Sequence, residues 1–246
     1  MAPQRMSTAR RNVASVGRAL AILDALAESD GGCGVNELAR RIGVNPSTAS
    51  RLLGTLEEAG IVERSPGGPY RLGLKLLALS DRVLAQLDVR ERARPWLTWL
   101  VEETGETATL SVPGGAEAIT VDFVPSPSTV VSMARVGRPS VPHATAAGKV
   151  MLACGAPTEP PPSELTAYTE RTITDREVLA RELKAVREIG VAEAVGEREP
   201  DLNAVAVPVL DARDELMAVL GLQGPAWRFE TAAMQAAVLR LQEHAT

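Results

Sequence analysis

Apolar positions in the first sixty residues recur at helical spacing three times. In residues 15–28, SVGRALAILDALAE, the apolar side chains Val16, Ala19, Leu20, Leu23, Leu26 and Ala27 predict a helix with one buried face. Gly31, Gly32 and Gly34 interrupt the pattern as a loop, in which Cys33 is expected to be exposed. Val35, Leu38, Ala39 and Ile42 then follow the i, i+3, i+4, i+7 template, and Gly43 ends that helix as a residue tolerant of positive φ. Asn45 is a strong N-cap and Pro46 suits the first helical position, where its missing N–H costs nothing. Ala49, Leu52, Leu53 and Leu56 repeat the template, so two short helices face one core across a tight turn, a helix-turn-helix. Beyond Gly60, the runs Ile61-Val62-Glu63 and Tyr70-Arg71-Leu72 flank Ser65-Pro66-Gly67-Gly68-Pro69 and predict a hairpin, the wing of a winged helix.

Farther along, the pattern changes. Residues 73–87 carry Leu74, Leu76, Leu77, Leu79, Val83, Leu84 and Leu87, too many for one narrow stripe, and predict a linker helix over 73–88 that offers a side to a second subunit. Pro95 is expected near the start of the next helix, with Trp96, Leu97, Leu100 and Val101. Strand-like runs follow at 107–112, 118–124 and Val130-Val131-Ser132-Met133, then near 191–195, 203–210 and 216–223. Thr174 and Glu177 suggest a capping box for a helix over 175–189, with Leu179, Leu183, Val186 and Ile189 inward. An Ala-rich helix is expected over about 231–243. The class is α+β: a winged helix-turn-helix domain over 1–72, the linker helix over 73–88, and a domain over 89–246 built on an antiparallel sheet with helices.

The second helix of the pair carries candidate chemistry. Pro46, Ser47, Thr48, Ser50 and Arg51 gather short hydrogen-bonding groups and one cation at a helix N-terminus, whose dipole favours phosphate and whose width fits a DNA major groove. Arg64 and Arg71 flank the hairpin, within reach of phosphates beside that groove. Charge supports the division of labour. Residues 1–82 hold eleven basic and eight acidic side chains, +3, whereas the rest carries −8.

Composition removes other classes. With 45% apolar and 23% charged residues over 246 positions, the chain can bury a sizeable core, and no apolar run suggests a membrane span. The basic start, MAPQRMSTARRNVAS, lacks a following apolar region and is not read as a secretory signal. Cys33 and Cys154 form neither a disulfide framework nor a zinc spacing, so a reducing cytoplasm is the expected location, with no metal and no cofactor. Aromatic residues, at 3%, are too few for stacking single-stranded nucleic acid. The sequence has no G-x-S-x-G, H-E-x-x-H or P-loop, and the alternative to a regulator is an enzyme with an appended winged helix. His143 reads as a hydrogen bonder that orders a loop, and Glu193, Glu197, Glu199 and Asp201 as a solvated acidic loop.

The stretches SVGRALAILDALAE, VNELARRIGVNPSTASRLLGTLEEAGIVER and YRLGLKLLAL resemble the DNA-binding domain of the IclR family of bacterial transcriptional regulators. The resemblance continues through P-H-A-T-A-A-G-K at 142–149, R-T-I-T-D at 171–175, A-V-A-V-P-V-L-D at 204–211 and L-Q-G-P at 222–225. It implies a double-stranded DNA operator, repression as the commoner sign, a GAF-like domain binding a small effector (often a carboxylate), and homodimers or tetramers. Thr145 is a plausible N-cap, so Ala146, Ala147 and Gly148 would offer free N–H groups to an anion. Met133 and Leu222 are expected as apolar walls, with Ala204, Gly221 and Gln223 lining late strands. The family often places a short hydroxyl or thiol at those late-strand positions, and this chain does not. A constitutive regulator with a degenerate pocket is therefore an alternative.

Overall fold

A computed structural model describes residues 13–29, 31–66, 68–84, 87–132, 134–155 and 164–243. The chain divides into two compact units, Met1–Gln86 and Leu87–Thr246.

In the first unit, α1 (Ala14–Ala27), α2 (Val35–Arg41) and α3 (Pro46–Glu58) precede a hairpin of β1 (Val62–Arg64) and β2 (Tyr70–Leu72), then α4 (Lys75–Leu84). The hairpin register pairs Val62 with Leu72, Glu63 with Arg71 and Arg64 with Tyr70. The core joins Ile22, Leu26, Leu38, Leu53, Val62 and Tyr70. The buried face of α1 differs from the expected one. Ile22, Ala25 and Leu26 point inward, while Val16 and Leu20 are each 56% exposed. Both stripes of this helix are apolar, so periodicity alone cannot choose between them, and packing against α2, α3 and β2 decides. Cys33 is buried rather than exposed, because its backbone exchanges two 2.9 Å hydrogen bonds with Tyr70 and extends the hairpin by one bridge. No residue of α4 is buried.

The second unit begins with α5 (Asp88–Thr104), β3 (Thr107–Gly114) and β4 (Glu117–Val124). It continues with α6 (Ala146–Cys154), α7 (Arg176–Ile189), β5 (Ala192–Val195), β6 (Leu202–Leu210), β7 (Leu216–Pro225) and α8 (Thr231–Gln242). The strands form one antiparallel sheet in the order β4-β3-β7-β6-β5. Alternation sorts its two faces. Asp122, the partner of Leu110, is held from α5 by Arg94 at 2.8 Å and Arg90 at 3.7 Å, so α5 lies on the Leu110 face. Val219, the partner of Ser111, packs with Ala146, Val150 and Ala206, so α6 lies on the opposite face.

Four local readings change. Pro95 sits inside α5 rather than near its start; the helix begins at Asp88, where Asp88 and Glu91 favour its positive end. The cap of α7 is Asp175, not Thr174, since its carboxylate accepts from the amides of Glu177 and Val178 at 2.7 and 3.1 Å. Ile189 at the end of that helix is exposed. Residues 130–132 form no strand; they are irregular chain, with the Ser132 carbonyl accepting from Thr107 Oγ1 at 3.0 Å.

Candidate functional site

The first candidate surface is the start of α3. Asn45 Oδ1 accepts from the amide of Thr48 at 2.8 Å and from the hydroxyl of Ser47 at 2.9 Å, which fixes the entry to the helix. Ala49 and Leu53 anchor the inner face in the core. That placement leaves Pro46, Ser47, Ser50 and Arg51 exposed and Thr48 half-buried, so the five form one outward surface on the first two turns. On the hairpin, the Arg64 guanidinium lies 5.5 Å from the centre of the Tyr70 ring and stays exposed. Arg71 is also exposed but is engaged by Glu63 at 3.3 Å on the neighbouring strand. Of the two wing cations, Arg71 must surrender an ion pair before meeting a phosphate.

The second candidate is a cavity of about 870 Å³ in the second unit. Thr145 caps α6 as expected, accepting from the Gly148 amide at 3.1 Å and donating to Val141 O at 2.8 Å. Ala146 and Ala147 line the cavity, and their N–H groups belong to the first turn, which has no intrahelical partner. Gly148 does not join them. Its amide is taken by Thr145, and it packs against the backbone of Val141 and Pro142, where a Cβ would collide. Ala204, Gly221 and Gln223 line the cavity, and Gln223 Nε2 donates to Ser132 Oγ at 2.7 Å. Leu222 contributes to the lining, but alternation turns its side chain to the opposite face from its neighbours Gly221 and Gln223. Met133 lies outside the described residues.

Several lining residues escaped the sequence reading. Thr109, Ser111 and Thr120 rise from β3 and β4, and Arg135, Arg138 and Arg198 share the lining with Glu199 and Asp201, Arg138 lying 4.0 Å from Glu199. The available signal was the alternation Thr107-Ala108-Thr109-Leu110-Ser111, whose polar phase reads as a solvated face until helices cover it.

Behind the cavity, Lys149 on α6 has a fully buried side chain. Its ammonium donates to Glu182 Oε1 at 2.7 Å, Glu193 O at 2.8 Å and Glu197 Oε1 at 2.7 Å, which uses all three of its protons. Glu197 is therefore buried rather than part of a solvated loop. Burial pushes its carboxyl above the usual carboxylate range, and Lys149 pulls the other way. The clue in the sequence was a single charge in the otherwise apolar helix AAGKVMLAC. His143 is buried beside the same helix, bonded through Nε2 to Thr166 O at 2.9 Å and tilted against Tyr168, whose ring carries Arg198 at 4.0 Å. Among the described residues no cluster of His, Cys, Asp and Glu suits a metal ion, and no helix is long and apolar enough to cross a membrane.

Comparison with known proteins covers both units. Residues 15–66 match the IclR helix-turn-helix domain, and residues 81–246 match the bacterial transcriptional regulator IclR C-terminal family. The HTH-type transcriptional regulator XynR of Escherichia coli is 34% identical over 215 residues, with 85% of each chain covered. A crystal structure of an IclR transcriptional regulator from Alicyclobacillus acidocaldarius superposes with a TM-score of 0.79 at 31% identity, covering 96% of this chain and 97% of that one. An IclR homologue from Microbacterium hydrocarbonoxydans, complexed with 4-hydroxybenzoate, superposes with a TM-score of 0.75 at 25% identity, covering 94% and 95%.

Proposed function

Because this chain belongs to the IclR family of bacterial transcriptional regulators, we propose that it is a DNA-binding regulator whose operator affinity is set by a small anionic effector in the second unit. The observation that carries the effector half is the cavity of about 870 Å³, lined at once by the first turn of α6 and by Arg135, Arg138 and Arg198. Its volume lies within the range of ligand pockets, roughly 300–1,000 Å³. A helix N-terminus stabilises a nearby anion by only ~0.3–2 kcal/mol, so the guanidinium groups and the cavity walls must supply the remaining affinity. A homologue that holds 4-hydroxybenzoate, an acid, supports the same reading.

The DNA half places Ser47, Thr48, Ser50 and Arg51 in the major groove, after Pro46, with Arg64 and then Arg71 on flanking phosphates. Self-association completes the reading. Val16 and Leu20 on α1, and Leu77 and Val83 on α4, leave exposed apolar stripes suited to a second copy. Two linked reading heads then engage two half-sites. Repression is the sign of regulation proposed.

A gel shift of the purified chain on the DNA upstream of its own gene tests the DNA half. We expect a discrete complex whose affinity falls steeply with salt, because counterions are released from phosphates. A flat salt response would dismiss a groove contact by α3. The effector half predicts that a small organic acid both raises the melting temperature and changes that shift. A ligand at 100 times its Kd adds about 2.7 kcal/mol of stability.

A further inference from the structure

We propose that the effector is a polyhydroxylated carboxylate, and that Thr109, Ser111 and Thr120 select it. This rests on the anionic-effector reading above and narrows it. A sheet face roofed by helices is ordinarily apolar, and part of this one is: Ala192, Ala194, Ala206 and Val219 pack beneath α6 and α7. Where the cavity begins, the same face turns to hydroxyls. Thr109 and Ser111 are successive inward positions of β3, and Thr120 is the cross-strand partner of Ser111 beyond a bulge.

The two hydroxyls of β3 are buried and Thr120 is half-buried, and all three are poorly engaged. Thr109 and Ser111 are 9% and 2% exposed. Thr109 Oγ1 reaches Gly221 O at 3.4 Å, and Ser111 and Thr120 meet each other at 3.4 Å, both at the limit of a useful hydrogen bond. Thr107, one step along the strand, shows the contrast. It donates to Ser132 O at 3.0 Å and accepts from the Ser126 amide at 3.1 Å, so its hydroxyl is spent on structure. Buried polar groups without good partners are costly, and ligand hydroxyls would supply the missing partners. Small neighbours keep the floor open. Gly221 adjoins Thr109, where a Cβ would stand 2.8 Å from Thr109 Oγ1, and Ala204 lies one strand farther.

The other walls fit the same ligand. The single aromatic residue in the lining, Trp227, is 65% exposed, so the described lining offers no pair of rings to clasp an aromatic acid. Arg135 and Arg198 supply the carboxylate end, while Arg138 is paired with Glu199 at 4.0 Å. A carboxylate on a short hydroxylated chain satisfies both sets of groups.

The test uses the full chain, titrated calorimetrically with threonate, arabinonate, gluconate and galactonate, and with hexanoate, sorbitol and benzoate as controls. We expect at least one aldonate to bind and shift the melting temperature, with hexanoate, benzoate and sorbitol at least about tenfold weaker, since unpaired buried polar groups penalise an analogue without hydroxyls. Thr109→Val and Ser111→Ala should each weaken that aldonate about tenfold while leaving hexanoate and the DNA gel shift unchanged. Hexanoate or benzoate binding as tightly as the best aldonate would overturn the hydroxyl selection and leave the anionic-effector reading standing. An aldonate unaffected by both variants would overturn the assignment of these residues. Failure of every acid to bind would remove both readings.

Discussion

Helices α3 and α6 open with the same device and meet different surroundings. In each, the residue before the helix takes the amide of the third helical position: Asn45 with Thr48 at 2.8 Å, and Thr145 with Gly148 at 3.1 Å. Both first turns carry short side chains, Pro46-Ser47-Thr48 and Ala146-Ala147-Gly148, and both present the positive end of a helix dipole. The turn of α3 is largely exposed, with Ser47, Ser50 and Arg51 outward and only Ala49 and Leu53 buried. The turn of α6 opens onto a cavity, and six of that helix's nine residues are buried and none is exposed. A cap of this kind is thus indifferent to the scale of its ligand. What covers the rest of the helix decides whether a polymer can lie along it or only a small molecule can reach its end.

The strongest test of that contrast removes the charge that seats α6. Lys149→Met strands Glu182 and Glu197 without their cation and should cost ~3–5 kcal/mol. Calorimetry should show the transition of the second unit falling while that of the first holds its temperature; a shift in both would mean that the two helices do not stand on separate cores. Next comes Arg51→Ala on the exposed helix, which should lose ~1–3 kcal/mol of operator affinity per subunit with no change in melting. Equal affinity of variant and parent would discard the proposed register of α3. The two caps can then be compared directly. Asn45→Ala and Thr145→Ala should each cost ~0.5–2 kcal/mol, with Thr145 the larger because its hydroxyl also donates to Val141 O. The reverse order in urea titrations would show that burial adds nothing to the cap. The smallest effect belongs to Arg71→Ala, below ~1 kcal/mol in operator binding, since its guanidinium already serves Glu63. A larger loss would show that Arg71 gives up Glu63 for its phosphate at little cost.

What the sequence made legible is largely what neighbours along the chain decide. Asn45 and Thr145 were readable as caps because a cap involves residues three apart. The five strands of the larger sheet follow from alternation. The misreadings lie where distant packing chooses between locally equal options. Helix α1 has two apolar stripes, and only contact with α2, α3 and β2 selects Ile22 over Val16. Thr109 and Ser111 occupy the polar phase of a strand, and nothing local reveals that this phase faces an interior cavity. Glu197 looked solvated among Glu193, Glu199 and Asp201 because its partner Lys149 stands 48 residues earlier.

The seating of Lys149 also gives this protein an internal chemical clock. The chain has three lysines. The side chain of Lys184 is 75% exposed, and Lys75 is exposed on α4 with its ammonium on Ala59 O at 2.9 Å. Both are open to an acylating reagent in the folded state, whereas the amine of Lys149, enclosed and with every proton engaged, reacts only when the second unit opens. The rate of acylation at that amine relative to Lys184 therefore measures the opening free energy of this unit alone, in a mixture or a lysate, without a spectroscopic label.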